Sequence, residues 1–392
     1  MPVQVSAPIR LAAAASRIDS SAIRDLLHVI DRPDVISLAG GLPAVETFPT
    51  AELADAMSRI LTSDPSAVQY SATEGIAPLR EWVAARHGVD ADQVVITHGS
   101  QQALDLVARA LLDPGADIAL ADPAYVGAVQ VLRLAGAQLL PVAADADGLR
   151  VDDLERRLRR GERPALVYVV ANFDNPTGAT LSAERRVALA ALADRYGFVL
   201  VDDDPYGELR WHGSAPPALA SMTDRVITLG TVSKVVCPGL RVGYVVAPPA
   251  IAPALVLVKQ ALDLHTSTLA QRALHDLLTA PGFLDRQLER LREVYRQRAT
   301  ALANALRSEL GDELRFRSPS GGMFVWGEFA DEVDTQQLLA AAIDRGVAFV
   351  PGQAFSVAGD HHRALRLSFA TNAPDQLAEG VRRLAAARRA LR

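Results

Sequence analysis

The chain has 392 residues, 49% hydrophobic and 22% charged, with a formal net charge of −6. That length and balance suit one or two globular domains with a large core, exclude a disordered chain and argue against nucleic acid as a general partner. Cys237 is the only cysteine, which rules out an intrachain disulfide and gives no reason to expect a cysteine-ligated metal.

In chain order, the apolar run at 11–15 is too short for a spanning helix and lacks the marks of an export signal. A cytoplasmic protein with no membrane partner is therefore expected. A helix is predicted over 20–29, capped by Ser20 or Ser21, then an extended segment with Gly40-Gly41-Leu42-Pro43. This first stretch, 1–45, is expected to pack on a smaller domain and on the mouth of the site. Helical spacing over 51–62, 101–112 and 183–196 alternates with short β-branched runs at 94–97, 117–120, 165–170, 198–201 and 225–229. The alternation predicts an α/β domain over 46–285 with a mostly parallel sheet. The run at 242–246 follows 225–229 across only a loop, so it is expected as an antiparallel edge strand. The basic cluster at 155–160 has helical spacing with apolar and acidic neighbours and is read as solvated helix surface. After about residue 285 the pattern changes to a long helix at 286–310, strands near 314–317, 321–326, 347–350 and 364–369, and a helix at 336–345. A smaller α+β domain over 286–392 is predicted.

Four segments carry residues suited to chemistry. Lys234, in Gly230-Thr231-Val232-Ser233-Lys234, follows a β-run, and ligand groups gather at the carboxyl ends of such strands. A lysine there suits Schiff-base chemistry, with neighbouring hydroxyls and Arg241 suited to an anion; the plain alternative is a surface loop. Asp202-Asp203-Asp204-Pro205-Tyr206 ends another apolar run. It reads as a turn, as a magnesium site, or as a carboxylate beside a cofactor ring nitrogen. Asn172 to Gly178 reads as a turn and helix start, and His98-Gly99-Ser100-Gln101 as a helix N-terminus able to face an anion.

Together, in this order, these segments resemble the fold-type I aminotransferases of classes I and II, nearest the 2-aminoadipate, kynurenine and broad-specificity branch. The resemblance runs from about Ser20 to Phe369. It also includes Ser37 to Pro43, Gln69-Tyr70-Ser71, Asp122-Pro123-Ala124-Tyr125, Pro238-Gly239-Leu240-Arg241 and Leu365-Arg366-Leu367. It implies a large domain with a mostly parallel seven-stranded sheet, a smaller α+β domain, a homodimer, and pyridoxal 5′-phosphate as cofactor. By this resemblance Lys234 is the Schiff-base lysine that also moves the proton between substrate Cα and cofactor C4′. Asp203 partners the pyridinium nitrogen, chosen among the three acids by its offset to Tyr206. Asn175 and Tyr206 donate to the phenolic oxygen, and Tyr125 stacks on the ring. Ser100, Gln101, Thr231, Ser233 and Arg241 hold the phosphate, with Tyr70 reaching the phosphate of the neighbouring subunit. Arg366 binds the substrate α-carboxylate, helped by Gly41 and Asn175; on pattern alone it is equally a strand arginine facing solvent. The sequence departs from the branch at Val232, at Val235-Val236-Cys237 and at Asn172-Phe173-Asp174, none of which removes a catalytic group.

The implied activity is ping-pong transfer of an amino group between an L-amino acid and a 2-oxo acid. Arg24 resembles an arginine that binds a distal carboxylate, which would admit glutamate and 2-oxoglutarate as one pair; it reads equally as a surface arginine paired with Asp19 or Asp25. The second substrate is left open among aminoadipate-like, aromatic and branched amino acids. The same fold also supports β-elimination, decarboxylation or oxidation at Cα. A regulator of this fold would need a DNA-binding module, and the 19 residues before Ser20 are too few for one.

Overall fold

The computed structural model describes residues 12–17, 32 and 34–391. The expected helix at 20–29, with Arg24, lies outside the described residues.

The first strand, β1 (Ile36–Ser37), is not part of the large sheet. The large sheet is built from β2 (Val94–Thr97), β3 (Asp117–Asp122), β4 (Gln138–Asp145), β5 (Gly148–Leu149), β6 (Leu166–Val169), β7 (Val199–Asp204), β8 (Val226–Thr231) and β9 (Gly243–Val246). Their order across the sheet is β2-β9-β8-β7-β6-β3-β4-β5. Neighbours from β8 through to β4 run parallel. These strands are short apolar runs because helices cover both faces and leave no wet side for polar alternation. Leu166 to Val169 and Val94 to Thr97 are buried at every position. The sheet thus has seven principal strands and an eighth of two residues, β5, which pairs antiparallel with β4.

The strand β9 is antiparallel as expected but is not at the edge. It pairs with β8 on one side and β2 on the other, antiparallel to both. The partner on its outer side comes from well over a hundred residues earlier, which a local reading of 225–246 does not contain. The outcome matters for function. With β9 reversed between them, β2 and β8 point the same way, so Thr97 and Thr231 both flank Gly243 at one edge of the sheet.

The smaller unit has a four-stranded antiparallel sheet, β10 (Leu314–Phe316), β11 (Phe324–Phe329), β14 (Ala364–Ser368) and β13 (Val350–Pro351), in the order β10-β11-β14-β13. The long helix Phe283–Leu310 buries Leu288, Leu291, Tyr295, Ala299, Leu302, Leu306 and Leu310, a stripe at the three- and four-residue spacing of one helix face. From Leu291 onward that stripe joins Leu365, Leu367, Phe369 and residues of the final helix, Pro374–Ala390, in one core. β1 pairs in parallel with β12 (Val347–Ala348), and Leu38 enters the same core. This pairing ties the 36–41 segment to the smaller unit and brings Gly41 to the cleft between the two sheets.

Candidate active site

A cleft of about 310 Å³ opens at the carboxyl edge of the large sheet, facing the smaller unit. Of the residues singled out from the sequence, Gly41, Ser100, Gln101, Tyr125, Asn175, Asp203, Tyr206, Thr231, Ser233, Lys234, Arg241 and Arg366 all line it. Tyr70 does not. Its side chain is 76% exposed, resting edge-on against the His265 ring at 5.6 Å. Arg24 lies outside the described residues.

Lys234 lines the cleft from the turn after β8. Its Nζ donates to the Gly41 carbonyl at 2.9 Å. Burial, with Arg366 and Arg241 adding positive charge, pulls its pKa down to about 8. An amine so placed is neutral at a pH where an ordinary lysine is fully charged, and a neutral amine is what attacks a carbonyl carbon.

The three acids of β7 separate by strand alternation. Asp203 faces the cleft, while Asp204 faces the other side, where it accepts from Asn172 Nδ2 at 2.8 Å and the Gly207 N–H at 2.7 Å. Burial raises the pKa values of both Asp202 and Asp204, and the buried Arg186 guanidinium pulls against that rise. The acids therefore do not converge, and among the described residues no cluster is arranged to hold a metal ion. Asp203 is 4% exposed. One of its oxygens accepts the Tyr168 hydroxyl at 2.8 Å; the other, Oδ1, is buried with no partner. Burial pushes this carboxyl up to about 7 against the pull of Tyr168, and the Asp204 charge adds to the rise. Tyr168 was missed from the sequence, where it reads as one more residue of a buried strand. Its role depends on β6 lying directly beside β7.

At one end of the cleft sits an anion cradle. The helix Ser100–Leu111 begins there, and its first N–H groups have no partner within the helix. Thr231 Oγ1 donates to Ser233 Oγ at 2.9 Å and accepts the Ser233 N–H at 3.2 Å. Arg241, at a left-handed φ of 52°, sends its guanidinium back to the His98 carbonyl at 2.9 Å. Gly99 has φ +86°, and a Cβ there would come within 2.9 Å of Arg241 Nη2, so only glycine lets the arginine close over the helix start. The Gln101 side chain is turned away from the anion position: its Nε2 donates to the Gly127 carbonyl at 2.9 Å, and its Oε1 accepts from the Tyr125 hydroxyl at 3.3 Å. Gln101 thus fixes the Tyr125 ring.

At the other end Arg366 is 2% exposed. Nη1 donates to Asn175 Oδ1 at 2.8 Å and Nη2 to the Ala39 carbonyl at 2.5 Å. The Phe324 and Phe355 rings lie 4.2 and 4.9 Å from its central carbon. Nε is buried and unpartnered, and no carboxylate among the described residues pairs with this guanidinium. Burial lowers its pKa to about 10, still a cation at neutral pH. Strand β14 is buried on both faces: Leu365 and Leu367 enter the core and Arg366 the cleft. The solvent-facing alternative for Arg366 is therefore removed.

These donors fit pyridoxal phosphate. The orphaned Asp203 oxygen suits a protonated ring nitrogen, the glycine-lined cradle suits a phosphate, and Lys234 lies in the same cleft. Fold and site together define a pyridoxal-phosphate enzyme acting on amino acids.

The family model for aminotransferase class I and II matches residues 33–384, and the chain belongs to that family. It is 45% identical over 383 residues to a 2-aminoadipate transaminase of Thermus thermophilus, covering 96% of each chain. Among solved structures, an alpha-aminoadipate aminotransferase of Thermus thermophilus, complexed with N-(5′-phosphopyridoxyl)-L-leucine, superposes with a TM-score of 0.91 at 44% identity, covering 97% of each chain. A kynurenine aminotransferase of Pyrococcus horikoshii superposes with a TM-score of 0.92 at 36% identity, over 97% of this chain and 98% of that one. The protein is a pyridoxal-phosphate-dependent aminotransferase with a ping-pong mechanism. Among the described residues no helix is long and apolar enough to cross a membrane.

Proposed function

We propose that this aminotransferase uses glutamate and 2-oxoglutarate as one substrate pair and an aminoadipate-like, aromatic or branched amino acid as the other, in the cytoplasm. The observation that carries the site assignment is Arg366, a buried cation with no anion of its own, in the same cleft as Lys234.

When bound, pyridoxal phosphate supplies the electron-accepting ring that makes the proton on the amino acid's Cα removable. Lys234 would hold the cofactor and, as the amine nearest the reacting atoms, would be the base and acid that moves the proton between the substrate's Cα and C4′. Asp203 keeps the ring nitrogen protonated, with Tyr168 fixing the carboxylate. Tyr206 and Asn175 donate to the phenolic oxygen. Arg366 already engages Asn175 Oδ1, which turns the Asn175 amide N–H groups the other way. Tyr125 covers the ring face. Ser100, Gln101, Thr231, Ser233 and Arg241 receive the phosphate. Arg366, its guanidinium packed on the Phe324 and Phe355 rings, clamps the α-carboxylate, with Gly41 on the same cleft wall. The Gly41 carbonyl that now accepts from Lys234 becomes free when that lysine moves.

Tyr70 is assigned to the phosphate of a second subunit in a homodimer. Its exposure supports this, as do Val68 and Leu264, also exposed and on segments that meet where Tyr70 packs on His265. Among the described residues lining the cleft the cations are Lys234, Arg241 and Arg366, and this assignment gives all three to the cofactor or the α-carboxylate. A substrate's distal carboxylate therefore needs a cation from elsewhere, and Arg24 is the candidate. The names of the relatives, 2-aminoadipate and kynurenine enzymes, support a pocket open to both acidic and aromatic side chains.

The test is a half-reaction. Cofactor-loaded protein is mixed with single amino acids and no keto acid, and keto acid is counted. One keto acid per site, with glutamate and aminoadipate the fastest donors, is expected. Aromatic or branched donors leading would remove Arg24 from the assignment. Release of ammonia, carbon dioxide or peroxide without keto acid would point to another reaction at Cα.

A further inference from the structure

Behind the anion cradle lies a hydrogen-bonded cluster that the mechanism does not use. Asp263 ends the helix Ala252–Asp263, and neither it nor Lys259 lines the cleft. Lys259 is fully buried and donates to both Asp263 oxygens, at 2.8 and 2.9 Å. Oδ2 also accepts Gln102 Nε2 at 2.6 Å and lies 3.1 Å from His98 Nε2. Gln102 Oε1 in turn accepts the main-chain N–H of His98 at 2.8 Å. The His98 carbonyl accepts from Arg241. His98 is thereby held by its ring, its N–H and its carbonyl.

We propose that Asp263 is a positioning residue for the phosphate end of the cofactor: through His98 and Gln102 it sets the Gly99 turn, and with it the aim of the Ser100 and Gln101 N–H groups and of Arg241. The proposal rests on assigning the phosphate to that cradle.

Three features favour it over a simple helix anchor. Both outgoing arms of the carboxylate end on the 98–102 segment, far in sequence from the helix that carries it. A buried lysine is costly to keep, and its pairing makes the carboxylate a fixed point rather than a mobile surface acid. The far side of the turn is already braced, since a Cβ on Gly243 would come 2.6 Å from Gly99 Cα. With β9 as one wall and Asp263 as the other, the turn has one place to sit. Removing the second wall lets it rotate, and the N–H groups at the helix start turn with it.

The experiment uses the full-length chain stripped of cofactor and titrated separately with pyridoxal phosphate and with pyridoxal, which lacks the phosphate. For Asp263→Asn the dissociation constant for pyridoxal phosphate is expected to rise about 10-fold or more, and that for pyridoxal less than about twofold. His98→Ala leaves the Lys259–Asp263 pair intact and is expected to give the same selective loss, about 3- to 10-fold, with the double variant no worse than Asp263→Asn alone. If Asp263→Asn does not fold because Lys259 is left unpaired, the His98→Ala ratio decides. An unchanged ratio of the two affinities, or equal losses for both ligands, overturns the proposal. Equal binding of both ligands by the unaltered protein would instead remove the phosphate assignment, and the proposal with it.

Discussion

The two ends of the cleft are each suited to holding an anion, by opposite means. At the cradle, binding is spread over a helix start, two hydroxyls and an arginine that stays exposed, all braced by hydrogen bonds behind them. At Arg366 it is concentrated in one buried guanidinium between aromatic rings, on a strand of the other sheet. The cradle suits a group that stays: many modest, preorganised bonds, little of which depends on one side chain. The buried arginine suits a group that comes and goes. A desolvated cation gains much from a carboxylate and little from water, so its strength is realised only when substrate is present. Lys234 lies between them, its pKa depressed by burial and by the positive charge of both.

The sharpest way to break this comparison is at the concentrated end. Arg366→Ala is expected to lower kcat/KM for amino acids by about 10²- to 10³-fold while changing cofactor affinity less than about twofold. Arg366→Lys should recover little of it, because a single ammonium cannot match a planar carboxylate with two parallel bonds; steady-state kinetics and cofactor titration measure the two quantities. At the spread end, Arg241→Gln is expected to weaken cofactor binding about 10-fold, since the other donors remain, and at saturating cofactor to leave the amino-acid KM nearly unchanged.

Lys234 gives a pH test of the space between. Its pKa of about 8 lies below that of an ordinary lysine, so the neutral amine becomes available at lower pH. Cofactor capture by the stripped protein, followed spectroscopically, should speed up about 10-fold per pH unit below about pH 8 and level off above it. Lys234 capture still rising steeply to pH 10 would show that the buried setting does not act on the amine.

The smallest effect is on stability. The Asp203 carboxyl, raised to about 7 in the fold, is protonated there up to a pH at which the unfolded chain has already lost the proton. The stripped protein should therefore lose stability as pH climbs from about 4 to about 7, with the full penalty present above that. Asp203→Asn removes the charge, so it should raise the stability of the stripped protein at pH 8 by about 1–3 kcal/mol and not at pH 4, while abolishing transamination. Denaturant unfolding at the two pH values checks the sign.

Much of the candidate site was legible because its groups are carried by short, contiguous motifs at strand ends. Lys234 with its hydroxyl neighbours, Asp203 three before Tyr206, and Ser100 at a helix start each announce themselves within a few residues. What was not legible depends on strands meeting across long stretches of chain. Tyr168 became the Asp203 partner only through the pairing of β6 with β7, and β9 moved from edge to interior only through its pairing with β2. Arg366 sits in an alternating strand that allows either face, and the Phe324 and Phe355 rings that enclose it come from other elements. The Asp263 cluster has no local signature: Asp263 and His98 come from distant parts of the chain and meet only in the fold.

The sequence by itself determined the alternation of helices and apolar strands, the family, the cofactor and the lysine proposed to react, because backbone periodicity and strand-end motifs are local properties. The tertiary structure alone decided that β9 lies inside the sheet, that Tyr168 partners Asp203 and that Arg366 faces the cleft rather than solvent. Those outcomes are set by burial and by partners from distant parts of the chain, and neither exists until the sheets have packed.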